Sequence, residues 1–140
     1  MNRKRYKLQP NHRRKTILAF FMLTVILSAF LFAGKITELS KKASNLKMGM
    51  SRQSVISLLG PATWAVIPGD TYDFTLPDPR IKLELYWKNP GCSPVIVQFN
   101  AKLKVLGWDE GRIYCGKDAH LFEPAEDYSC GKPNREKYCK

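Results

Sequence analysis

The longest apolar stretch of the chain runs from Thr16 to Gly34 and contains no charged residue. An α-helix of this length spans about 28 Å, which is close to the hydrocarbon thickness of a bilayer. Three basic residues precede the stretch at 13–15, and Lys35 follows it. Because the more basic flank of a membrane helix stays in the cytoplasm, the pattern predicts a single-pass anchor at 16–34 with the remaining chain on the far side.

A cleaved signal peptide is the alternative for the same stretch. Signal peptides also begin with basic residues, but they have a shorter apolar core and a small-residue cleavage site. The segment Leu31-Phe32-Ala33 matches such a site poorly, and a buried helix of a soluble domain does not need the neighbouring cations. No Cys follows the apolar core, so the motif for lipid attachment is missing there. The pattern favours an uncleaved anchor.

The next clear pattern is a short amphipathic helix over residues 52–59. Ser51 is a good N-cap for it, and Met50 and Val55 have the spacing of a hydrophobic staple. Gly60-Pro61 stops the helix, because glycine adopts the left-handed conformation easily and proline prevents continuation. The apolar face of this helix consists of Val55, Ile56, Leu58 and Leu59.

Alternation of apolar and polar residues predicts antiparallel strands after this helix. It occurs at 72–76, 81–88 and 95–99, and 105–108 returns after a turn at 100–104. The stretch 36–46 is either a linker or a first helix. Since helices cover one face of such a sheet, the other face is expected to be open. The predicted class is α+β, with two short helices packed on an antiparallel sheet of about three strands.

Charge and cysteine content change this picture in two ways. The net charge is +11, but the first 15 residues hold seven Lys/Arg and no acid, so the rest carries only +4. The basic tail therefore fits an orienting role at the membrane better than nucleic-acid binding. All four cysteines follow the anchor, which favours disulfides of an exported domain. No Cys-x-x-Cys pair is present, so free thiols and a zinc site are weaker alternatives.

Three disulfide pairings are possible for the four cysteines. The favoured one joins Cys92 to Cys115 across a hairpin and Cys130 to Cys139 within the C-terminal segment.

The helix motif also resembles a known family. Gly49-Met50-Ser51, Val55 and Leu58-Leu59-Gly60-Pro61 are similar to the opening helix of the SmpA/OmlA, or BamE-like, small envelope proteins. Residues 95–99 with their turn and return resemble that family's hairpin, and the similarity covers roughly 41–111. The resemblance implies two helices packed on a three-stranded sheet. It also implies a role through contacts, as an accessory subunit of the outer-membrane β-barrel assembly machinery, without catalysis.

The chain departs from this family in three features. It has no lipid-attachment Cys, its turn at 100–104 lacks glycine, and its cysteine-containing segment lies outside the family pattern. The fold therefore transfers better than the partner does. The predicted organisation is a basic cytoplasmic tail (1–15), a signal anchor (16–34), a linker (35–40), a BamE-like α+β domain (41–111) and a C-terminal extension held by disulfides (112–140).

Candidate functional residues are mainly aromatic. Trp64, Tyr86 and Trp108 are candidate protein-binding residues, and Tyr86 is expected on the open sheet face. No phosphate loop, nucleophile elbow or His-Glu-x-x-His helix is present, and His120 with Glu123, Glu126 and Asp127 is a weak catalytic set.

The sequence therefore predicts a non-enzymatic scaffold in the inner membrane. Its N-terminus is cytoplasmic and its domain is periplasmic. Envelope proteins and the lipid bilayer are its partners, and no cofactor, metal, nucleic acid or small-molecule substrate is expected. A secreted or anchored protein inhibitor of an enzyme is the alternative, and an envelope hydrolase is a weaker one.

Overall fold

The structure is a computed structural model that describes residues 36–70 and 78–140. The predicted basic tail, the anchor at 16–34 and the predicted strand at 72–76 lie outside these residues. Two helices come first, α1 (Glu38–Ala43) and α2 (Arg52–Leu59). They are followed by four strands: β1 (Trp64–Val66), β2 (Leu83–Trp87), β3 (Val95–Phe99) and β4 (Val105–Asp109). Two short 3-10 helices (Ala119–Phe122 and Glu126–Tyr128) and α3 (Glu136–Cys139) complete the order.

Helix α2 has the boundaries that the sequence predicts. The Ser51 hydroxyl accepts a hydrogen bond from the Ser54 N–H at 3.2 Å, so the predicted N-cap is confirmed. Gly60 follows the helix with φ 89°, a conformation that residues with a Cβ adopt rarely. Helix α1 begins at Glu38, within the predicted linker, because the side chain of Thr37 caps it.

The sheet is an antiparallel meander in the order β1-β2-β3-β4. The α+β class is confirmed, but within residues 36–70 and 78–140 the sheet has four strands rather than about three. Strand β1 is only three residues long, too short for alternation to show in the sequence. It forms because Trp64 pairs with Tyr86 and Ala65 pairs with Leu85 across the sheet. The predicted strands at 81–88, 95–99 and 105–108 correspond to β2, β3 and β4.

The main core lies between one face of the sheet and the helices. Leu85, Val97 and Phe99 are completely buried there, together with Val55 of α2. The Trp87 Nε1–H donates a hydrogen bond to the Gly60 carbonyl at 2.9 Å, which ties the end of α2 to the sheet. The predicted apolar face of the helix therefore packs on the predicted apolar face of β2 and β3.

The C-terminal segment runs along the outer edge of β1. The Cys130 N–H donates to the Thr63 carbonyl at 2.9 Å, and Trp64 forms an isolated β-bridge with Ser129. Cys139 is 2% exposed and belongs to the main core. Both disulfides of the favoured pairing are present, Cys92–Cys115 and Cys130–Cys139. The second bond closes the segment that covers the edge of β1.

The turn between β3 and β4 has a leucine in a backbone conformation that glycine adopts more easily. Leu103 has φ 54° in the left-handed region, and the Asn100 carboxamide oxygen accepts hydrogen bonds from two N–H groups of the turn. The segment before α2 then covers the start of β4. Gly49 donates its N–H to the Val105 carbonyl at 2.9 Å, and Val105 donates its own N–H to the Met50 carbonyl at 3.0 Å.

An ion pair between Asp70 and Arg135 fastens the C-terminal segment to the end of β1. Arg135 Nη1 and Nη2 donate to the two Asp70 carboxylate oxygens at 2.6 and 2.8 Å, and Nη1 also donates to the Ala65 carbonyl at 3.1 Å. The two side chains are only 10% and 12% exposed. Burial alone raises the pKa of Asp70. The hydrogen bonds from Arg135 and the Ile67 N–H, with the arginine charge, outweigh burial and hold this pKa below its usual value.

This pKa predicts how the ion pair responds to acid. The folded state binds a proton at Asp70 less readily than the unfolded state does, so protonation favours unfolding. The stabilisation is complete above about pH 4 and is lost as the pH falls through the folded pKa. We expect Asp70→Asn to lower the free energy of unfolding at pH 7 and to differ much less from the wild type at pH 2. Urea titrations of both proteins at both values test this, and an equal difference at the two values would contradict it.

Candidate functional site

The second face of the sheet carries the candidate site. Strand register places two rows of side chains across it, and the rows are two residues apart along each strand. One row is Val66, Glu84, Gln98 and Gly107; the other is Trp64, Tyr86, Ile96 and Asp109.

The part of this face nearest β1 is covered by the C-terminal segment. Tyr128 packs there on a small second core of Trp64, Val66 and Tyr86, with Ile96 at its side. Trp64 is 5% exposed and Tyr86 is 1% exposed. The prediction that Tyr86 stands on an open face is therefore wrong. Residues after 112 cover the side chains of β2 that point away from the main core. The same segment buries Trp64, so this side chain is not exposed for contact with a partner.

The part nearest β4 forms a groove instead. Its volume is about 340 Å³, at the lower end of the range for small-molecule pockets. Gly107 contributes no side chain to its row, and a Cβ at this position would lie 3.4 Å from the Gln98 side-chain oxygen. Most of the lining surface is apolar. The residues that line the groove are Glu84, Tyr86, Ser93, Pro94, Ile96, Gln98, Trp108, Asp109, Ile113 and Phe122.

One wall of the groove comes from the C-terminal segment. Ile113 is 78% exposed although it lines the groove, and the ring of Phe122 lies 5.5 Å from the ring of Tyr114. The Ser93 N–H donates to the Tyr114 carbonyl at 2.6 Å, and the Gly116 N–H donates to the Gly91 carbonyl at 2.9 Å. These backbone bonds and the Cys92–Cys115 disulfide hold the wall against the turn before β3. Leu121, next to Phe122, adds further exposed apolar surface.

A buried carboxylate borders the groove from β2. Glu84 is 2% exposed, and its two oxygens accept hydrogen bonds from the Tyr86 hydroxyl at 2.9 Å and from Gln98 Nε2 at 2.8 Å. Two side chains, one on β2 and one on β3, thus fix this acidic group in place. Asp109 adds a second carboxylate, and one of its oxygens accepts the Gly111 N–H at 2.7 Å.

The predicted site residues are thus only partly brought together. Trp108 is half-buried, packs against the main core and also lines the groove. The family-type helix motif lies on the opposite side of the sheet, where it serves the main core. Sequence reasoning missed Glu84, Gln98, Ile113 and Phe122. The sequence does contain a signal for Glu84. It is an acidic residue between Leu83 and Leu85, and the period of a strand places it on the same face as Tyr86.

The weak catalytic set does not assemble around His120. This residue is exposed, and its Nδ1 lies 3.0 Å from the Lys117 carbonyl oxygen. Glu123 pairs with Lys88 at 3.2 Å instead. Within residues 36–70 and 78–140, no ion pair joins His120 to a carboxylate.

Two further features concern the described part of the chain alone. It contains no group of three or more His, Cys, Asp or Glu placed to hold a metal ion. Among its helices, none has both the length and the apolar character needed to cross a membrane.

The fold defines a small α+β domain with helices on one sheet face and part of the disulfide-held C-terminal segment on the other. Comparison with protein-family models, with curated proteins and with solved structures finds no match for the chain. The similarity of residues 41–111 to the SmpA/OmlA family therefore stays a prediction.

Proposed function

We propose that this chain is a membrane-anchored protein-interaction module of the cell envelope, and that it acts by binding a partner rather than by catalysis. The observation that carries the proposal is the groove beside β4 with its exposed apolar wall. Exposed apolar surface next to a cavity is typical of sites where another protein binds.

The proposed location combines sequence and structure. The apolar stretch at 16–34 supports an uncleaved anchor in the inner membrane, with its basic flank in the cytoplasm. The two disulfides support an oxidising compartment such as the periplasm for the folded domain. Envelope proteins are the proposed partners, and the resemblance at 41–111 suggests the β-barrel assembly machinery among them.

Site-specific crosslinking in cells tests this function. A photoreactive amino acid at Leu121, which is 64% exposed and directly precedes the groove-lining Phe122 in the chain, is expected to capture a discrete envelope protein. We expect Ile113→Asp to lower this capture about tenfold or more, because it places an unpaired charge in an apolar contact. Mass spectrometry identifies the captured protein and measures its amount.

Met48 provides the matched control. It is an exposed apolar residue, 64% accessible, that does not line the groove. Met48→Asp is expected to leave capture unchanged. Equal losses in the two variants, or none in either, would contradict binding at the groove, and capture of one soluble enzyme would point to the inhibitor alternative.

A further inference from the structure

We propose that a basic surface at the start of α2 binds an acidic segment of a second protein. The basic surface consists of Arg52, Lys102, Lys104 and Lys137, and none of these residues lines the groove. The inference rests on the proposed location of the domain. It goes beyond the groove by assigning a second contact and the charge of its partner.

Arg52 joins three segments of the fold at this surface. Its backbone N–H donates to the Leu103 carbonyl at 3.0 Å, and the neighbouring Ser51 forms an isolated β-bridge with Lys104. Its guanidinium Nη1 donates to the Lys137 carbonyl at 3.0 Å. The start of α2, the turn between β3 and β4 and helix α3 therefore meet at one residue, and each of them contributes basic side chains.

The charge of the basic surface is not cancelled by neighbouring acids. In the part of the chain that the structure describes, none of its four cations forms a salt bridge. The sequence has no Asp or Glu at 39–69 or at 85–108, and on α3 Glu136 pairs with Lys140. The three lysines are exposed and Arg52 is half-buried. Positive charge at accessible positions without an acidic neighbour favours an anionic ligand.

Contacts within the fold hold these cations in place before a partner arrives. The Asn100 carboxamide oxygen accepts the N–H groups of Lys102 and Lys104 at 2.9 and 3.1 Å, which fixes the turn that carries both lysines. The Lys137 Nζ lies 4.9 Å from the centre of the Tyr138 ring. A surface that is ordered in advance loses less entropy when it binds.

The proposed location of the domain favours a protein as the source of the negative charge. Anionic lipids give the cytoplasmic leaflet its negative potential, and the basic tail at 1–15 is predicted to lie on that side. The domain is proposed to lie on the other side. The guanidinium of Arg52 suits carboxylates, because its planar group can bind both oxygens of one carboxylate. The proposed ligand is therefore a run of Asp and Glu side chains in a partner protein.

The basic surface and the groove lie at opposite ends of strand β3. The turn with Lys102 and Lys104 follows this strand, whereas Ser93 and Pro94 of the groove precede it. A protein at the groove and a second protein at the basic surface can therefore be bound at the same time. A domain with both contacts would bring two proteins together.

Crosslinking to two short peptides tests the inference in the full-length protein in detergent micelles. A photoreactive amino acid replaces Ala101, an exposed residue next to Lys102. The peptides are Gly-Ser-Asp-Glu-Leu-Glu-Asp-Ser-Gly and a neutral analogue with Asn and Gln in place of Asp and Glu. Crosslinks from position 101 report binding at the basic surface, although the tail at 1–15 also attracts acidic peptides. At peptide concentrations far below saturation, we expect about tenfold more adduct with the acidic peptide by mass spectrometry.

Variants locate this preference at the basic surface. Lys102→Gln with Lys104→Gln is expected to lower the acidic adduct about fivefold, since two of the four cations are lost. Both side chains are exposed, so the fold should persist. Lys117→Gln with Lys132→Gln is the matched control, because it removes two exposed lysines that are not part of this surface. It should leave the adduct unchanged.

Each other outcome overturns the inference. Equal adducts with the two peptides, no adduct with either, or equal losses in the two variants would exclude recognition of carboxylates at this surface. The same protein in vesicles that contain phosphatidylglycerol provides a further arm. A lipid adduct from position 101 in place of the peptide adduct would assign the surface to a bilayer. The proposed function is judged separately by the crosslinks from Leu121, so failure here leaves binding at the groove standing.

Discussion

Arg135→Met is expected to lower the free energy of unfolding by about 3–5 kcal/mol, the range for breaking a buried ion pair by removing one partner. Arg135 is 8% exposed, and its guanidinium donates to both oxygens of Asp70 and to the Ala65 carbonyl. The variant leaves the Asp70 carboxylate with little solvent and without its cation. It also removes the guanidinium that lies 5.3 Å from the Tyr128 ring.

Urea unfolding of the full-length protein in micelles, followed by tryptophan fluorescence, measures this loss. The control is Arg135→Met combined with Asp70→Leu, which removes both charges and is expected to recover most of the stability. A single variant that loses less than about 1 kcal/mol, the value of an exposed pair, would show that the contact contributes little.

Replacing both Cys92 and Cys115 with alanine is expected to cost about 3 kcal/mol of stability and to abolish partner capture at the groove. The loss of stability is expected because this bond joins residues 23 positions apart in the sequence and so restricts the unfolded chain. The loss of partner capture has a separate cause. Ile113 and Tyr114 directly precede Cys115, so the bond holds the exposed apolar wall in place.

The other disulfide is the matched control for this prediction. Replacing Cys130 and Cys139 with alanine removes a bond of sequence separation 9, and the shorter loop predicts a somewhat smaller loss of stability. This bond lies at the edge of β1, on the side of the sheet away from β4. Its removal should reduce capture from Leu121 far less than loss of the first bond does. Equal effects on capture would show that the groove wall does not depend on Cys115.

Much of the fold could be predicted from local patterns. Helix α2 has a cap, a staple and a stop within twelve residues, and its boundaries were predicted correctly. Strands β2 and β3 have clear alternation, and of the three pairings possible for the cysteines the favoured one is present. Strand β1 could not be found in this way, because three residues are too few to show a period and pairing with β2 creates it.

The candidate site was harder to predict for a physical reason. Alternation in β2 shows that Tyr86 points away from the main core, but it does not show whether another segment lies over that face. The covering segment, from Ile113 to Tyr128, has short 3-10 helices and no regular period. Its position depends on long-range contacts such as Arg135 with Asp70, which leave no local signal. The groove exists where this cover ends, so its residues could not be grouped from sequence.

The covered edges of the sheet have a consequence for behaviour at high concentration. An exposed edge strand offers unpaired backbone groups with which a second copy can extend the sheet, and this is a common route to aggregation. Ser129 and Cys130 occupy the outer side of β1, and the segment around Met50 occupies the start of β4. The charged Asp109 and Glu110 follow at the far end of β4 and disfavour pairing there. We therefore expect the covered edges to disfavour the joining of sheets from neighbouring copies into a continuous fibre.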